Sequence, residues 1–536
     1  MATIEEIEEE AQRANNEIKK EISSGNSLVQ KFYEDAVVFI TGGSGFVGKH
    51  MIEKILRSCN VKKIYILLRV KKGKPIQERL KIVLGDLVFE ELLKEQPNFA
   101  DKLQAIEGDC SEDNLGIDEK NWAKLSDEVN VIFHSAATTN FRENMKSATF
   151  INIKGTREIL RLAKACKHLK SIVHVSTAYS HATRSRIKGD VKEGFYKSPI
   201  PPETMIDLAN NLDEDRLNTM MKPFLQEWPN SYTFTKAIGE DLVRVIGEDL
   251  PICIVRPAIV ISAYREPMLG WLDDKNVYGP SGIILGLSLG VMRTVIADND
   301  IKIDFVPVDI VSNAIITSAA ETHARHNRGE REPIIYTVSG IRNPMYWREI
   351  GEVLQTKTRT ILPLKTVWYC NAVVTPHKLI YFILTVLLHY IPAIIIDGCC
   401  MLVGKKARFL TLYRSVHNLS SIFSYFTNNE WKFEDSNTLR LHNGLSTTDK
   451  IIYNCDMYSV DMMEAGFVWS YGVIKYLIKD DGKNRDYALK KQQLFKILHY
   501  IILPLYLYTV YKLTSGVILF IYFAIGMICK YLYLNF

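Results

Sequence analysis

The sequence predicts an α/β fold in which helices cover both faces of a parallel sheet, followed by a smaller, mainly helical C-terminal unit and an apolar tail. Three observations support this fold class. Short apolar runs alternate with helical patterns from residue 36 to about 260, a glycine-rich turn follows the first run, and apolar blocks lie close to the C-terminus. Apolar strands that alternate with helices are typical of a doubly wound sheet buried on both sides.

Six apolar runs between helical patterns are predicted to be the strands of this sheet. They are Val37–Thr41, Ile64–Leu68, Leu103–Gly108, Val131–Ser135, Ile172–Ser176 and Ile252–Arg256. Two further runs, Ile303–Val308 and Ile334–Val338, belong either to the sheet or to a cap over the substrate.

The chain has 536 residues, which is too many for one compact domain, so several units are expected. We expect a polar N-terminal arm at 1–30, a nucleotide-binding unit with a cap at 31–365, a C-terminal unit at 366–475, and a basic linker with a membrane tail at 476–536. The change of composition near residue 366 sets the start of the third unit.

The amino-acid composition argues against some classes of function. The 66 basic and 61 acidic residues give a net charge of only +5, which argues against a nucleic-acid binder that depends on charge. The nine cysteines show no CxxC or zinc-binding spacing, so we predict no metal site and a reducing compartment. The acidic start lacks the features of a signal peptide, and the catalytic part is expected to face the cytosol.

The glycine-rich turn predicts a dinucleotide site. Gly42, Gly45 and Gly48 follow the first strand with GxxGxxG spacing, and a helical pattern begins at once. Such glycines let the backbone approach a pyrophosphate, while the helix N-terminus offers free N–H groups to it. The alternative is a tight turn between strand and helix. We assign further residues to the same cofactor site: Ser44, Phe46, Val47, Ala136 and Pro257.

The end of the second strand predicts the choice of cofactor. Arg69 stands 21 residues after Gly48, where NAD-selective sites carry an acidic residue for the ribose. A guanidinium there can bind a 2′-phosphate, which favours NADPH. A solvated basic loop is the alternative. Asp109, after the third strand, is a candidate acceptor for the adenine amino group, although an Asp in such a turn is also ordinary.

A second group of residues predicts hydride transfer. Tyr232 and Lys236 share a helix face, and we expect the ammonium to lower the pKa of the phenol towards working pH. YxxxK alone is more often a pair on a helix surface. Here Ser176 and Thr177 end a parallel strand, where hydroxyls face the ligand crevice. The order of the three elements is typical of short-chain dehydrogenases.

Two regions predict contact with a membrane. The blocks Leu498–Tyr511 and Leu513–Cys529 are apolar, and many lysines precede them, so we expect a membrane anchor with its basic side in the cytosol. A docking helix for a partner is the alternative. The uncharged run Leu379–Ile396 is near the lower limit for a bilayer span and is equally compatible with a buried helical hairpin.

The sequence resembles the alcohol-forming fatty acyl-CoA reductases over residues 32–475. The matching segments, in the family's order, are TGGSGFVGKH, ILLRVKKG, GDCSEDNLGI, FHSAATTNF, NIKGT, VSTAYS, YTFTKAIGE, IVRPAIV and FVPVDIVSNA. The resemblance implies that the three glycines hold the pyrophosphate of NADPH and Arg69 its 2′-phosphate. It further implies a catalytic pair, Tyr232 and Lys236, with Thr177 or Ser176 polarising the carbonyl. Thr139-Asn140 departs from the family's more usual Val-Arg.

The resemblance also implies a reaction and a location. The implied reaction is the reduction of a long-chain acyl-CoA by two hydride transfers from NADPH, which gives a primary alcohol and free CoA. We expect the chain on the endoplasmic reticulum or the peroxisome, and the sequence leaves a homo-oligomer open. The alternatives are a membrane-bound short-chain dehydrogenase acting on a sterol or a sugar nucleotide, and a non-catalytic lipid-binding protein with the same fold.

Overall fold

Seven parallel strands form the central sheet of the protein. The computed structural model describes residues 2–71, 73–275, 277 and 279–535, with side chains in the last helix up to residue 516 and at 525. The strands of the sheet are β1 (Val37–Thr41), β2 (Lys63–Leu68), β3 (Leu103–Glu107), β4 (Val131–His134), β5 (Ser171–Val175), β6 (Ile252–Pro257) and β7 (Ile334–Val338). The predicted doubly wound fold is confirmed, and the six predicted strands appear within about a residue of their predicted bounds.

The strands lie in the order β7-β6-β5-β4-β1-β2-β3. The strand order reverses between β1 and β4, which are direct neighbours with Thr41 opposite His134. In open α/β sheets a ligand binds at the carboxyl ends of the strands beside such a reversal. The topology therefore places a binding crevice after Thr41 and His134.

Helices surround the sheet and make up most of the C-terminal region. They are α1 (Ile4–Ser24), α2 (Leu28–Tyr33), α3 (Phe46–Ser58), α4 (Ile76–Leu84), α5 (Glu90–Glu95), α6 (Glu119–Glu128), α7 (Met145–Thr149), α8 (Gly155–Ala165), α9 (Pro202–Asn211), α10 (Glu214–Met221), α11 (Ser231–Ile246), α12 (Ser281–Ser288), α13 (Val308–Asn327), α14 (Trp347–Gln355), α15 (Lys378–Thr385), α16 (Ile391–Leu402), α17 (Phe409–Thr427), α18 (Ser436–Gly444), α19 (Thr447–Ile452), α20 (Met462–Gly472) and α21 (Arg485–Asn535).

Strand side chains alternate between two apolar cores. Val38 and Ile40 of β1 face the core that includes α3 and α13, whereas Val37 and Phe39 face the core that includes α8 and α11. All of these strand residues are buried, since helices cover both faces. This explains why β1 is a continuous apolar run rather than an alternating one.

The two further apolar runs, which the sequence placed either in the sheet or in a cap, have different positions in the structure. Ile334–Val338 is the edge strand β7. The run Ile303–Val308 divides into Lys302–Ile303 and Phe305–Pro307, which pair outside the main sheet with Met345–Tyr346 and Ile259–Ile261. Two more short pairs join Asp190–Val191 to Lys432–Phe433 and Thr294–Ile296 to Val373–Thr375.

The C-terminal helices pack directly on the sheet unit. Residues of α19 and α20, among them Ile452 and Trp469, belong to the same apolar core as β1. The N-terminal segment is an amphipathic helix that buries Ile4 and Ile7 in that core. The predicted unit boundaries at 31, 366 and 476 stay a prediction, because the core runs across all three.

Two helical segments are long and apolar enough to cross a membrane. They are Lys378–Leu402, which comprises α15, a π turn and α16, and Arg485–Gly516, the first part of α21. Little of either segment is buried in the protein. Most side chains of the second predicted block, Leu513–Cys529, lie outside the described residues.

Candidate functional site

The glycine turn closes tightly against the end of β4. Gly42 has a φ of 77°, and a Cβ there would lie 2.6 Å from the backbone nitrogen of Ala136. Only glycine adopts this conformation and this approach without strain. The turn continues with the Gly45 N–H, which donates to the Gly42 carbonyl at 2.9 Å.

Gly48 brings the first turn of α3 down onto the same loop. A Cβ at Gly48 would overlap the Gly42 carbonyl oxygen and lie 2.8 Å from Cα of Gly43. Gly45 is the N-cap residue and provides no side-chain cap, so the first N–H groups of α3 keep their bonding capacity for a ligand. The glycine backbone thus forms an open cradle at the N-terminus of a 13-residue helix, and such a cradle fits a pyrophosphate.

The other predicted cofactor residues surround this turn. Ser44, Phe46 and Val47 are half-buried within it, and the Phe46 ring stacks on Trp271 at 5.1 Å between centroids. The Ala136 N–H donates to the Thr41 hydroxyl at 3.3 Å, which His134 also contacts at 2.8 Å. A histidine on β4 thus fixes the wall of the crevice.

Arg69 and Asp109 lie side by side at the ends of β2 and β3. Their guanidinium nitrogen and carboxylate oxygen are 3.5 Å apart, and Arg69 is 54% exposed at its side chain. The other Asp109 oxygen accepts from the backbone and hydroxyl of Ser111 at 3.0 and 2.9 Å. Arg69 is therefore accessible to a ligand phosphate beside the crevice, while Asp109 is engaged within its own turn.

Tyr232 and Thr177 meet at the carboxyl end of β5. Tyr232 is in the first turn of α11, after the N-cap Asn230, and the Thr177 hydroxyl lies close enough to its phenol to lower the pKa of Tyr232. The Thr177 hydroxyl also donates to the Pro257 carbonyl at 3.4 Å. Three of the predicted site residues therefore adjoin one another in the structure.

Lys236 lies one helical turn after Tyr232. Its ammonium is buried and donates to the Val175 carbonyl at 2.7 Å, at the end of β5. Burial lowers the pKa of Lys236 to about 8, while the nearby Glu240 carboxylate opposes that fall. The lysine thus places a titratable positive charge behind the Tyr232–Thr177 pair.

The expected fall in the pKa of Tyr232 is wrong. Burial raises the pKa of Tyr232 to about 12, and the hydrogen bond with Thr177 only partly offsets this. The expectation considered only the neighbouring charge, whereas the loss of water around the phenolate is the larger effect here. Tyr232 is consequently a neutral hydroxyl that can donate a proton.

Ser176 does not share the position of Thr177. Its hydroxyl donates to the carboxylate of Glu240, eight residues after Tyr232 in α11, at 2.5 Å. Glu240 also accepts from His181 at 3.0 Å and from Arg256 at 2.9 and 2.5 Å. Burial raises the pKa of Glu240, but Arg256 and His181 outweigh that effect and hold it well below its usual range. Ser176 is thus part of a buried ionic network, and the hydroxyl that lowers the pKa of Tyr232 is that of Thr177.

Sequence reasoning missed the aromatic cover over Tyr232. The Phe141 ring stacks on Tyr232 at 5.7 Å, and it contacts Phe423 at 5.6 Å and Phe426 at 5.7 Å from α17. The signal available in the sequence was the change at Thr139-Asn140, directly before Phe141 in the same loop. The site is therefore closed by the C-terminal region and presents an apolar wall to Tyr232.

One acidic group among the described residues has the geometry of a cation site. The carboxylates of Asp86, Asp273 and Asp274 lie within 4.8 Å of one another. The Lys49 ammonium lies 2.5 Å from Asp86 and 3.1 Å from Asp273, and the Lys479 ammonium lies 2.9 Å from Asp274, so each carboxylate already has a protein cation beside it. The group is a cluster of ion pairs next to the glycine turn.

Two family models match the chain. Residues 40–315 match an NAD-binding family described as Male sterility protein, and residues 388–480 match a second family with the same description. The first match contains the glycine turn, Thr177, Tyr232 and Lys236. With the glycine cradle, this match assigns a nicotinamide cofactor to the crevice.

Solved structures share the fold. The terminal reductase domain of the myxalamid biosynthetic pathway aligns with a TM-score of 0.54 at 20% identity, over 82% of this chain and 91% of that domain. The reductase domain of the aureusimine biosynthetic cluster aligns with a TM-score of 0.50 at 15% identity, over 86% of this chain and 96% of that domain.

Curated relatives match at higher identity. The chain is 39% identical to the fatty acyl-CoA reductase wat of Drosophila melanogaster over 480 residues, which is 90% of this chain and 91% of the relative. It is 32% identical to fatty acyl-CoA reductase 1 of Homo sapiens over 475 residues, 88% of this chain and 90% of the relative. The resemblance noted in the sequence is confirmed, and the chain belongs to the fatty acyl-CoA reductase family.

Proposed function

We propose that this protein reduces a long-chain fatty acyl-CoA to the primary alcohol and free CoA, with NADPH as the reductant. The observation that carries the proposal is the meeting of Tyr232 and Thr177 at the carboxyl end of β5, with the Lys236 ammonium, one helical turn after Tyr232, bonded to the Val175 carbonyl at the end of the same strand. The glycine cradle lies at the same edge of the sheet. Relatives that are named fatty acyl-CoA reductases match over about nine tenths of the chain.

Arg69 supports the choice of NADPH over NADH. The guanidinium is exposed at the end of β2, and Lys71 is exposed two residues further on. Two cations at this position favour a phosphate on the ribose, and a guanidinium can bind it through two charge-assisted hydrogen bonds. When bound, the nicotinamide supplies a hydride, which is a proton with an electron pair.

The chain's own residues stabilise the charge that the hydride creates. As hydride reaches the thioester carbon, the carbonyl oxygen becomes negative, and we assign its stabilisation to the Tyr232 and Thr177 hydroxyls. The carbon–sulfur bond then breaks and CoA leaves as the thiolate, which gives the aldehyde. In the second reduction the Tyr232 proton goes to the aldehyde oxygen and the alcohol forms. In both steps Lys236 supplies a positive charge one helical turn from Tyr232.

Membrane attachment through α21 is the second part of the proposal. The segment Arg485–Gly516 is apolar and exposed, and a cluster of basic residues precedes its apolar part. Positive residues favour the cytosolic side of a membrane. We propose that α21 anchors the protein in the endoplasmic reticulum or the peroxisome, with the reductase unit in the cytosol.

One assay tests the reaction. Purified protein is incubated with NADPH and palmitoyl-CoA, and free thiol and hexadecanol are measured together. The proposal predicts that both products appear and that neither appears with a sterol or a sugar nucleotide as the substrate. Oxidation of NADPH without thiol release would favour a dehydrogenase of another specificity. The absence of any turnover under conditions where NADPH binds would favour a non-catalytic lipid-binding role.

A further inference from the structure

The helical segment Lys378–Leu402 carries a row of large apolar side chains that the described part of the chain leaves uncovered. Leu402 is 88% exposed, Leu379 71% and Phe382 62%. We call the set the hairpin face; its members are Leu379, Ile380, Phe382, Ile383, Ile394, Ile395, Ile396, Met401 and Leu402. Contiguous exposed apolar surface of this kind marks a contact with a protein or a membrane.

The segment is one arm of a hairpin whose other arm is polar on the outside. The Asp397 carboxylate accepts from the N–H groups of Arg408 at 2.9 Å and Phe409 at 3.0 Å, which fixes the start of α17 against α16. The outer side of α17 exposes Arg414, Ser415 and Asn418. If the hairpin crossed a bilayer, these polar groups would face hydrocarbon at a high free-energy cost.

The hairpin is attached to the apolar tail. The Trp368 ring stacks on Phe495 of α21 at 5.7 Å, and its indole N–H donates to His499 at 3.2 Å. The Tyr506 hydroxyl donates to the Leu387 carbonyl at 2.6 Å, in the π turn between α15 and α16. The middle of Lys378–Leu402 therefore lies beside the first apolar block of α21.

Basic residues flank the hairpin face. Lys378 precedes it, and Lys405, Lys406 and Arg408 follow it in the exposed turn between α16 and α17. Amphipathic elements that lie in a bilayer interface combine apolar side chains with lysines and arginines that contact anionic headgroups. This charge favours a phospholipid surface over a second apolar protein face.

We infer that the hairpin face is an interfacial membrane contact. It lies in the cytosolic leaflet of a bilayer that contains anionic phospholipid, parallel to the surface and beside α21, and it neither crosses the bilayer nor forms part of a buried core. The inference rests on the proposed membrane location of α21, and it does not depend on the proposed reaction.

The contact places the lipid leaflet close to the catalytic tyrosine. α17 begins at the turn of the hairpin and runs to Phe423 and Phe426, which contact Phe141 over Tyr232. Its 19 residues span about 28 Å of helix. One rigid helix thus connects the leaflet to the apolar wall of the site.

A depth measurement on the full chain tests the inference. Cys399 is an exposed thiol of α16, one helical turn from the face residues Ile395 and Leu402, and Asn418 is exposed on the polar side of α17. In a background that carries Cys166→Ser, Cys370→Ser, Cys400→Ala and Cys529→Ala, an environment-sensitive fluorophore is attached to Cys399. The control carries Cys399→Ala and Asn418→Cys, and Ile395→Cys gives a second position on the face.

The labelled proteins are reconstituted in vesicles of phosphatidylcholine and phosphatidylserine. We expect spin-labelled lipid to quench the fluorophore at 399 and 395 several-fold more than the fluorophore at 418, and iodide to show the opposite order. Lys405→Glu with Lys406→Glu should raise iodide quenching at 399 in these vesicles and leave it unchanged in phosphatidylcholine alone.

Two results would overturn the inference. The first is equal quenching by iodide at 399 and 418 in vesicles, which would show a face in water. The second is shielding that persists in detergent and grows with protein concentration, which would identify a second copy of the chain as the occupant. Alcohol formation is measured in the same vesicles. A shielded Cys399 without alcohol would contradict the proposed reaction alone.

Discussion

Tyr232 is the residue to which we assign the proton transfer. Phe141 covers one side of its ring, and the Thr177 hydroxyl lies next to its phenol. Because burial raises the pKa of Tyr232 to about 12, the phenol is neutral across the physiological range. A neutral donor suits a reaction in which negative charge develops on the carbonyl oxygen.

The first prediction concerns this hydroxyl. Tyr232→Phe removes the proton donor and leaves the ring stacked on Phe141, so kcat for alcohol formation should fall by roughly 10²–10⁴-fold while NADPH affinity stays unchanged. Steady-state kinetics and a fluorescence titration with NADPH measure the two quantities. Tyr425→Phe is the matched control, since its hydroxyl donates only to the Ala182 carbonyl at 3.0 Å. Normal alcohol formation by the Tyr232 variant would exclude Tyr232 as the donor.

The second prediction is a pH dependence set by Lys236. Its pKa is lowered to about 8, so the ammonium is present below that pH and loses its proton above it. The positive charge behind Tyr232 therefore disappears as the pH rises, and kcat/KM should fall along a single ionisation with a midpoint near 8. The midpoint is measured from reaction rates with palmitoyl-CoA between pH 6 and 10, with points about 1 pH unit apart.

Glu240 supplies the check on that assignment. Its carboxylate opposes the fall in the pKa of Lys236, so Glu240→Gln should move the midpoint to lower pH. The variant also removes half of a buried ion pair with Arg256 and should lose about 3–5 kcal/mol of stability. A midpoint that does not move in the folded fraction would assign the ionisation to another group.

The third prediction concerns Arg69. Arg69→Asp replaces the exposed guanidinium with an anion, so NADPH affinity should fall by roughly 10- to 150-fold through the loss of charge-assisted hydrogen bonds. NADH lacks the 2′-phosphate and should lose far less affinity. The dissociation constants of NADPH and NADH for the variant test this prediction. Arg13→Asp, a substitution of an exposed arginine in α1, is the control. Equal losses for both cofactors would reject the role of Arg69.

At the scale of elements, the strand–turn–helix unit around Gly48 determines the cofactor site. Gly48→Ala places a Cβ against the Gly42 carbonyl oxygen, where backbone must move, so NADPH binding should be lost and the melting temperature should fall. Gly351→Ala is the matched control in α14, because a Cβ there meets nothing within 4 Å and should raise stability by about 0.5–1 kcal/mol. Calorimetry and an NADPH titration compare the two. Retained NADPH affinity in the Gly48 variant would show that the turn is not a close cradle.

Local elements were predictable from the sequence, and contacts between distant elements were not. β1, the glycine turn and α3 are contiguous, so their pattern alone located the crevice. The proximity of Thr177 and Tyr232 also follows, since a strand end and a helix start meet at one edge of the sheet. The different partners of Ser176 and Thr177, the Glu240 carboxylate and the Pro257 carbonyl, depend on the local path of the chain after β5, and adjacent hydroxyls in a sequence do not specify them.

At the scale of the molecule, the C-terminal region reaches the proposed catalytic site. Phe423 and Phe426 lie almost 300 residues from Phe141 in sequence, and they contact it over Tyr232. Tyr179, just after Thr177, packs edge-on against Phe426 and Phe433 at 5.0 Å. No periodicity in the sequence predicts these contacts, because they join loops of the sheet unit to α17 and the segment after it and arise only in the folded chain. An apolar enclosure of this kind suits an acyl chain and excludes water from the reacting carbon.

The most direct test of the account follows the hydride itself. The full-length protein is supplied with palmitoyl-CoA and with NADPH that carries deuterium at the transferred position, and the alcohol is analysed by mass spectrometry. The account predicts hexadecanol with two deuterium atoms on its first carbon and two NADPH oxidised for each CoA released. Hexadecanal as the end product, or an alcohol with fewer than two deuterium atoms on that carbon, would contradict it.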